Sequence, residues 1–492
     1  MDQPAPPADR PEARRLVGLI VIAAATAQSL GTALKMPTQL TANDISRYCT
    51  VWSLLERGSY VIDDCPWQKD TQDKVRKPDP FSKAKFDKFG DGEHFYSSKP
   101  PLLATLVAGV LYPFRAASGV PLDAVVKQER LERNVQKEVP GQPGTFSSVK
   151  ETPPPVPWPA YVLYLKPAIV LFNVVPFAFF LIYYARLLDR YAANDWAWFF
   201  ALFAGAFGTF LIVFNSTLNN HSVAAYSAFF ALYALARIWD QEPGTGRARP
   251  AYFVVAGFFG AFCACNEIPA ALFGGLLFLM LAVRDPRRTL LYFVPAAVVP
   301  LVAFFATQYL AFGQFRPVYE EFGTRSYTYE GSYWNTPLEF DWFNKFPESY
   351  GVYLFHMTVG HHGVFSLTPI FLIAIHAAVR NVTGAGRPLR AVSGLTLGLT
   401  VLMLAFYTWN PKARNYGGST QGLRWLFWLI PFWLVVLPTG LAAGQAGKGA
   451  RRLGLAALAV SMLTVGYALR SPWSHNWLLD LLEHLGVYPL VR

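Results

Sequence analysis

Long apolar runs separated by short Arg-, Gly- and Pro-rich connections fill most of this chain, at residues 16–34, 161–184, 195–214, 222–239, 251–266, 268–283, 289–312, 364–380, 391–409, 422–441 and 453–470. A helix crosses a bilayer with about 20 apolar residues, fewer or more with tilt, so each run predicts a crossing. One further run, 101–114, is short for a span and predicts a helix lying on or dipping into the interface. After the first span, Tyr48, Val51, Leu54 and Leu55 recur at helical spacing. They predict an amphipathic juxtamembrane helix near 44–57, with Asn43 or Asp44 as its cap.

Orientation follows from where the cations lie. Arg186 and Arg190, then Arg237, Arg247 and Arg249, then Arg284, Arg287 and Arg288, then Arg380, Arg387 and Arg390, and finally Lys448, Arg451 and Arg452 mark every second connection. These loops are read as cytoplasmic, together with the tail 1–15 that carries Arg10, Arg14 and Arg15. The first helix, 16–35, is read as retained rather than cleaved, because its apolar run is long and no small-residue cleavage site follows it. Between it and Arg186 the crossings must be odd in number, which again excludes the 101–114 segment as a span. The expected fold is therefore an all-α polytopic bundle of about eleven transmembrane helices. A long first extracytoplasmic loop, 36–159, carries juxtamembrane helices near 44–57 and 101–114. The bundle occupies 160–470 with an outer loop at 313–363, and the tail 471–492 lies outside.

Composition changes little in that picture. The chain is 53% hydrophobic and 15% charged, which excludes an ordinary soluble domain. The net charge of +11 is spread over short loops instead of one face, so it reads as a topology signal and not as a nucleic-acid surface. Cys49 and Cys65 share the first outer loop, and their spacing leaves a disulfide open; Cys263 and Cys265 lie in an apolar run and read as packing.

With this topology the unusual polar residues collect outside. They are Asp44, Arg47 and Lys99 in the first loop, Asn219-Asn220-His221, Glu267, His361-His362, and the stretch Asn415-Tyr416-Gly417-Gly418 that leads to Arg424. The cytoplasmic loops offer mostly Arg, Gly and Pro, with no acidic domain of the kind that holds a nucleotide-sugar and its metal. Asp44 either caps its helix or serves as a base at the lipid boundary. Lys99, before Pro100-Pro101, either snorkels toward headgroups or neutralises a phosphate. Asn219, Asn220 and His221 either cap adjoining helices or bind hydroxyls, and Glu267 either pairs with a cation or acts on substrate. The run Asp63, Asp64, Asp70 and Asp73 reads either as a solvated surface or as an acceptor contact or divalent-ion site, and the aromatic segment 327–342 as an interfacial belt or a sugar-stacking surface. His361 and His362 are adjacent, point apart on any regular element and lack a spaced acidic partner, so no metal and no cofactor are expected there.

Asp44-Ile45-Ser46-Arg47-Tyr48, followed after a loop by Lys99-Pro100 and a short apolar helix, resembles the opening loop of the GT-C class of polyprenyl-phosphate-sugar glycosyltransferases. It is similar to lipid A aminoarabinose transferases and protein O-mannosyltransferases. The stretch from Asn415 to Arg424 looks like a later outer loop of bacterial relatives. The chain departs from many relatives in having Ile45 where they carry a second acid, and in a longer, Pro-rich 118–157 stretch.

The resemblance implies Asp44 as the catalytic residue and Lys99 and Arg424 near the donor phosphate. Arg47, Asn219, Asn220, His221, Glu267, His361, His362 and Tyr416 are the substrate-binding candidates. The expected partners are a polyprenyl-phosphate-linked sugar donor, a lipid, glycan or protein acceptor, and membrane lipids, with no nucleic acid. The expected location is a bacterial inner membrane with the site facing the cell envelope. A flippase or exporter of lipid-linked sugars, or a polymerase using the same donor, would use the same basic residues.

Overall fold

The computed structural model describes residues 11–38, 41–81, 92–128, 133–138, 146–151, 156–239, 248–332, 349–384, 386–409, 416–441 and 448–487. Arg10, Arg247, Asn415 and the 333–342 part of the aromatic segment lie outside them. The protein is helical, with three short antiparallel strand pairs. Among the described residues, eight helices are long and apolar enough to cross a membrane, and three shorter apolar helices accompany them.

In chain order α1 (Pro11–Lys35) leads to α2 (Ala42–Arg57), strands β1 (Lys74–Pro78) and β2 (Glu93–Ser97), and α3 (Pro101–Ser118). Strands β3 (Val125–Gln128), β4 (Arg133–Glu138), β5 (Phe146–Glu151) and β6 (Val156–Pro159) complete the first loop. The bundle continues with α4 (Tyr161–Ile169), α5 (Val175–Tyr191), α6 (Asp195–Phe207), α7 (Leu211–Phe214), α8 (Asn220–Trp239), α9 (Pro250–Asn266) and α10 (Ala271–Arg284). Then come α11 (Pro286–Arg288), α12 (Val294–Phe312), α13 (Tyr350–Thr358), α14 (Val364–Leu367), α15 (Ile370–Thr383) and α16 (Arg390–Trp409). The chain closes with α17 (Ile430–Val436), α18 (Lys448–Ala468) and α19 (Trp477–His484).

Proline explains where these helices change pitch. Between α4 and α5 the turn Val170–Val174 is a π-helix, and between α11 and α12 the turn Thr289–Phe293 is another. Each ends two residues before a proline, Pro176 or Pro295, whose missing N–H breaks the regular ladder; the widened turn accommodates the break. Thr368-Pro369 divides the predicted 364–380 span into α14 and α15, and the 422–441 run begins and ends as 3-10 turns around α17.

The centre of the bundle is the segment Asp195–Phe214 and α8, whose most apolar windows are 83% and 78% buried, against 28% for α1. A Phe-, Leu- and Trp-rich core surrounds them, and Tyr184 donates its hydroxyl to the Leu434 carbonyl at 2.7 Å within it. Lys166 sits inside the span built on α4 and donates to the carbonyls of Ala33, at 2.6 Å, and Met36. These are orphan carbonyls at the end of α1, so the buried ammonium is satisfied by a helix C-terminus, where the dipole also favours it.

A second core joins α2, α3 and α4. Glu56 and Arg115 make a bidentate pair at 2.7 and 2.8 Å that ties the far ends of α2 and α3 together. The α2 helix is not the surface helix its pattern predicts, because Asn43 through Ser53 are all buried. It starts one residue before Asn43, its N-cap residue is Thr41, and Asp44 makes no capping hydrogen bond. The helix predicted at 101–114 to be too short to cross runs on to Ser118 and is one of the eight long and apolar enough to span a membrane, and Cys49 and Cys65 are buried free thiols.

Candidate active site

The β1–β2 hairpin supplies the geometry that the first loop's sequence conceals. Its antiparallel register pairs Lys74 with Ser97, which sets Asp73, just before β1, opposite Ser98, just after β2. The Ser98 N–H donates to the Asp73 carbonyl at 3.0 Å, and Lys99 Nζ then lies 3.1 Å from Asp73 Oδ2. The base of the hairpin docks on α2, where Ser46 Oγ donates to the same Asp73 carbonyl at 2.5 Å and meets Ser97 Oγ at 2.6 Å, and Thr71 Oγ1 donates to the Ala42 carbonyl at 2.6 Å. Asp73 is therefore no member of a solvated acidic run. Nor is Asp63, which accepts from the Phe95 N–H at 2.7 Å and faces His94 Nδ1 at 2.7 Å.

In the first turn of α2, Asp44 is fully buried, and neither carboxylate oxygen has a hydrogen-bond partner among the described residues. Burial is the largest influence on its carboxyl and pushes the pKa up to about 8, while Arg47 and then Arg424 oppose the rise and Asp73 adds to it. Arg47 is held by its helical neighbour Asn43 and by Asn220 Oδ1, and burial lowers its pKa to about 10. Lys99 is shifted down as well, by burial first, with Asp73 resisting and Arg47 and Arg424 assisting.

The opposite wall comes from the bundle. Asn220, at the start of α8, donates to the Asn266 carbonyl at 2.9 Å and to Glu267 Oε1 at 2.7 Å, and His221 Nδ1 lies against the same oxygen. Glu267 thus pairs with His221 and Asn220, within the electrostatic reach of Arg47 and Arg424. Asn219 does not join them: its amide donates to Phe214 and Thr217 carbonyls and its oxygen accepts from the Ser222 N–H at 2.8 Å, so it caps α8.

Arg424 begins the 3-10 turn Arg424–Leu429, with Nε and Nη1 buried and lacking hydrogen-bond partners among the described residues. Gly417, at φ +93°, packs against it so closely that a Cβ there would lie 3.0 Å from Arg424 Cγ. Its guanidinium stacks over Trp473 at 4.9 Å, and the Trp473 indole N–H faces Asp44 without closing a hydrogen bond. Trp473 belongs to the stretch after the last long helix. Gln421 fixes that stretch, donating from Nε2 to the Ser471 and His475 carbonyls at 2.9 Å each and to Ser474 Oγ at 2.7 Å.

One buried cluster thus gathers the predicted Asp44, Arg47, Lys99, Asn220, His221, Glu267 and Arg424 and adds Asp73 and Trp473. Beside Arg47 and Lys99 lies a cavity of about 10 Å³, room for a single water. The larger cleft of about 520 Å³ by Trp239, Met280 and Arg390 lies at the other end of α8, roughly 28 Å along the helix axis, and plays no part in this site.

His361, His362 and Tyr416 form a separate buried group. The His356 and His361 rings stack at 3.9 Å, and Tyr416 stacks on His362 at 4.9 Å. Burial, the largest influence, and the neighbouring imidazoles push His361 down to about 2 and His362 to about 3, so both are neutral. Along the chain they adjoin the Asp44 cluster, Tyr416 preceding Gly417, which packs on Arg424.

Comparison with protein-family models, with curated proteins and with solved structures finds no match. Three cations and three carboxylates meet here, Asp44, Arg47 and Glu267 buried and Asp73, Lys99 and Arg424 half-buried, and the polar atoms of Asp44, Arg424 and Trp473 without partners among the described residues lie in the same place. Such atoms are costly unless a polar ligand meets them. The arrangement fits an anionic ligand that carries a hydroxyl-rich group, with the anion at the cations and the hydroxyls at the carboxylates.

Proposed function

We propose that this chain is an integral-membrane glycosyltransferase of eleven crossings. It moves a sugar from a polyprenyl-phosphate donor to a lipid, glycan or protein acceptor on the extracytoplasmic side of a bacterial inner membrane. The observation that carries the reading is a fully buried Asp44 with both oxygens unpartnered, set between Arg47 and Arg424. The resemblance of the Asp44 and Lys99 motifs to GT-C enzymes points the same way.

The step is a single displacement with inversion. An acceptor hydroxyl or amine attacks the anomeric carbon, its proton passes to Asp44, and the bond from that carbon to the phosphate oxygen breaks. Polyprenyl phosphate leaves with the electron pair, and Lys99, Arg47 and Arg424 stabilise its growing charge. A carboxyl with a pKa near 8 is a strong base once ionised and is mostly protonated at neutral pH. Lys99 must exchange Asp73 for the phosphate, and His221 and Glu267 are placed to hold sugar hydroxyls.

The test is release of free polyprenyl phosphate from a labelled lipid-linked sugar by purified protein in detergent with a nucleophilic acceptor. Release that depends on Asp44 supports the reading; movement of the intact lipid-linked sugar without bond cleavage makes the protein a flippase.

A further inference from the structure

After α18 the chain presents a second polar group, outside the cluster built on Asp44. Asp480 and Glu483 lie one turn apart on α19, and His475 stands just before the helix, whose N-cap Asn476 accepts from the Leu479 N–H at 3.0 Å. One ligand atom from each of His475, Asp480 and Glu483 can be chosen so that all three lie within 4.8 Å of one another. His475 Nδ1 is 3.6 Å from Glu483 Oε1. Two ligands on a tetrahedral zinc, each at about 2.0–2.1 Å, stand roughly 3.4 Å apart, so this pair needs almost no adjustment.

We propose that His475, Asp480 and Glu483 bind one divalent cation, zinc by the chemistry of the set, which fastens the tail onto the outer face of the bundle. An imidazole nitrogen with two carboxylates suits zinc better than calcium or magnesium, which favour oxygen-only shells. Asp480 is already oriented for the role. Its Oδ2 accepts from Arg470 Nη2 at 2.6 Å and from the Tyr467 hydroxyl, which holds the carboxylate in place and leaves Oδ1 for a cation, in the manner of an outer-shell brace on a ligating carboxylate. Arg470 balances one of the two carboxylates, and the cation balances the other. The three side chains are 19 to 34% exposed, open enough for an ion to enter and a water to complete the shell.

The site is distinct from the stacked His361 and His362, where no carboxylate ligand atom comes close enough to complete a set among the described residues. Its consequence runs two residues upstream. Trp473 lies between the Gln421 clamp and this site, so a bound cation restrains the segment that places the indole under Arg424 and against Asp44. The binding itself does not depend on the proposed glycosyl transfer.

The experiment uses full-length, tag-free protein in detergent, stripped with chelator and titrated with zinc chloride, with bound metal counted by elemental analysis after gel filtration. Wild type should retain about one zinc per chain and melt at a higher temperature with zinc than without. The His475→Gln/Glu483→Gln protein should bind at least tenfold more weakly and lose that increment. Its metal-free melting temperature, matched to metal-free wild type, shows that it folds; Glu483→Gln alone serves if the pair does not. The His361→Gln/His362→Gln protein should still bind. Substoichiometric zinc in wild type, unchanged binding in the tail variants, or binding lost only in the His361/His362 variant would overturn the proposal.

Discussion

Two polar clusters adjoin along the chain, the charged one around Asp44 and the stacked one around His361 and His362, joined through Tyr416-Gly417. Both are almost wholly hidden, yet they are built on opposite rules. In the first, carboxylates and cations are confined together with polar atoms left unpartnered; in the second, imidazoles are kept neutral and packed ring on ring. Burial alone therefore does not mark a reactive site. What separates the two is charge: carboxylates and cations face one another in the first, and only neutral rings meet in the second.

The largest expected effect breaks the comparison at its charged side. Asp44→Asn should lower the transfer rate by about 10²–10⁴-fold, the usual contribution of a general base. It should leave folding intact, because a carboxyl whose folded pKa of about 8 exceeds its unfolded value of 3.8 destabilises the fold as pH rises between the two. The neutral amide escapes that cost, so thermal melting at pH 8 should match or exceed wild type. Lys99→Ala follows, with a rise in donor KM of roughly tenfold to a hundredfold for the loss of one charge-assisted phosphate contact, read from initial rates against donor concentration.

The histidine side should behave in reverse. His361→Ala should cost roughly 2–3 kcal/mol of stability through lost packing, seen in thermal melting, with the kinetics of the folded fraction little changed. Its pH signature also has the opposite sign. Imidazoles held at about 2 and 3 stay neutral in the fold but protonate near 6.5 when unfolded, so stability is full above pH 6.5 and falls as pH drops below it. The slope approaches about 2.7 kcal/mol per pH unit for the two together, and His361→Gln/His362→Gln should flatten it. The smallest expected change is Trp473→Phe, which keeps the ring under Arg424 but removes the N–H facing Asp44. It should shift the ascending limb of the pH–rate profile toward higher pH by a fraction of a unit, since one hydrogen-bonding group that favours the ionised carboxylate is gone.

The helical fold and most of the charged cluster were legible because both rest on local signals, namely apolar run length, alternate basic loops and short motifs at the ends of spans. Asp73 was not, since its role depends on a hairpin register that pairs Lys74 with Ser97, and neighbouring acids at 63, 64 and 70 made it look solvated. Trp473 escaped for a similar reason: an aromatic residue just past a span reads as an interfacial anchor until the Gln421 clamp folds it back. Asn219 shows the converse. Its motif pointed to substrate, and its side chain is spent on the backbone of its own turn.

The central claim is that the buried Asp44 carboxylate takes the acceptor's proton while the surrounding cations release polyprenyl phosphate. Its most direct test is side-by-side turnover of a labelled donor by purified wild type and Asp44→Asn, with donor binding measured on the same preparations. The account predicts free polyprenyl phosphate from wild type, none above background from the variant, and comparable donor binding by both. Near-normal release from Asp44→Asn would contradict it.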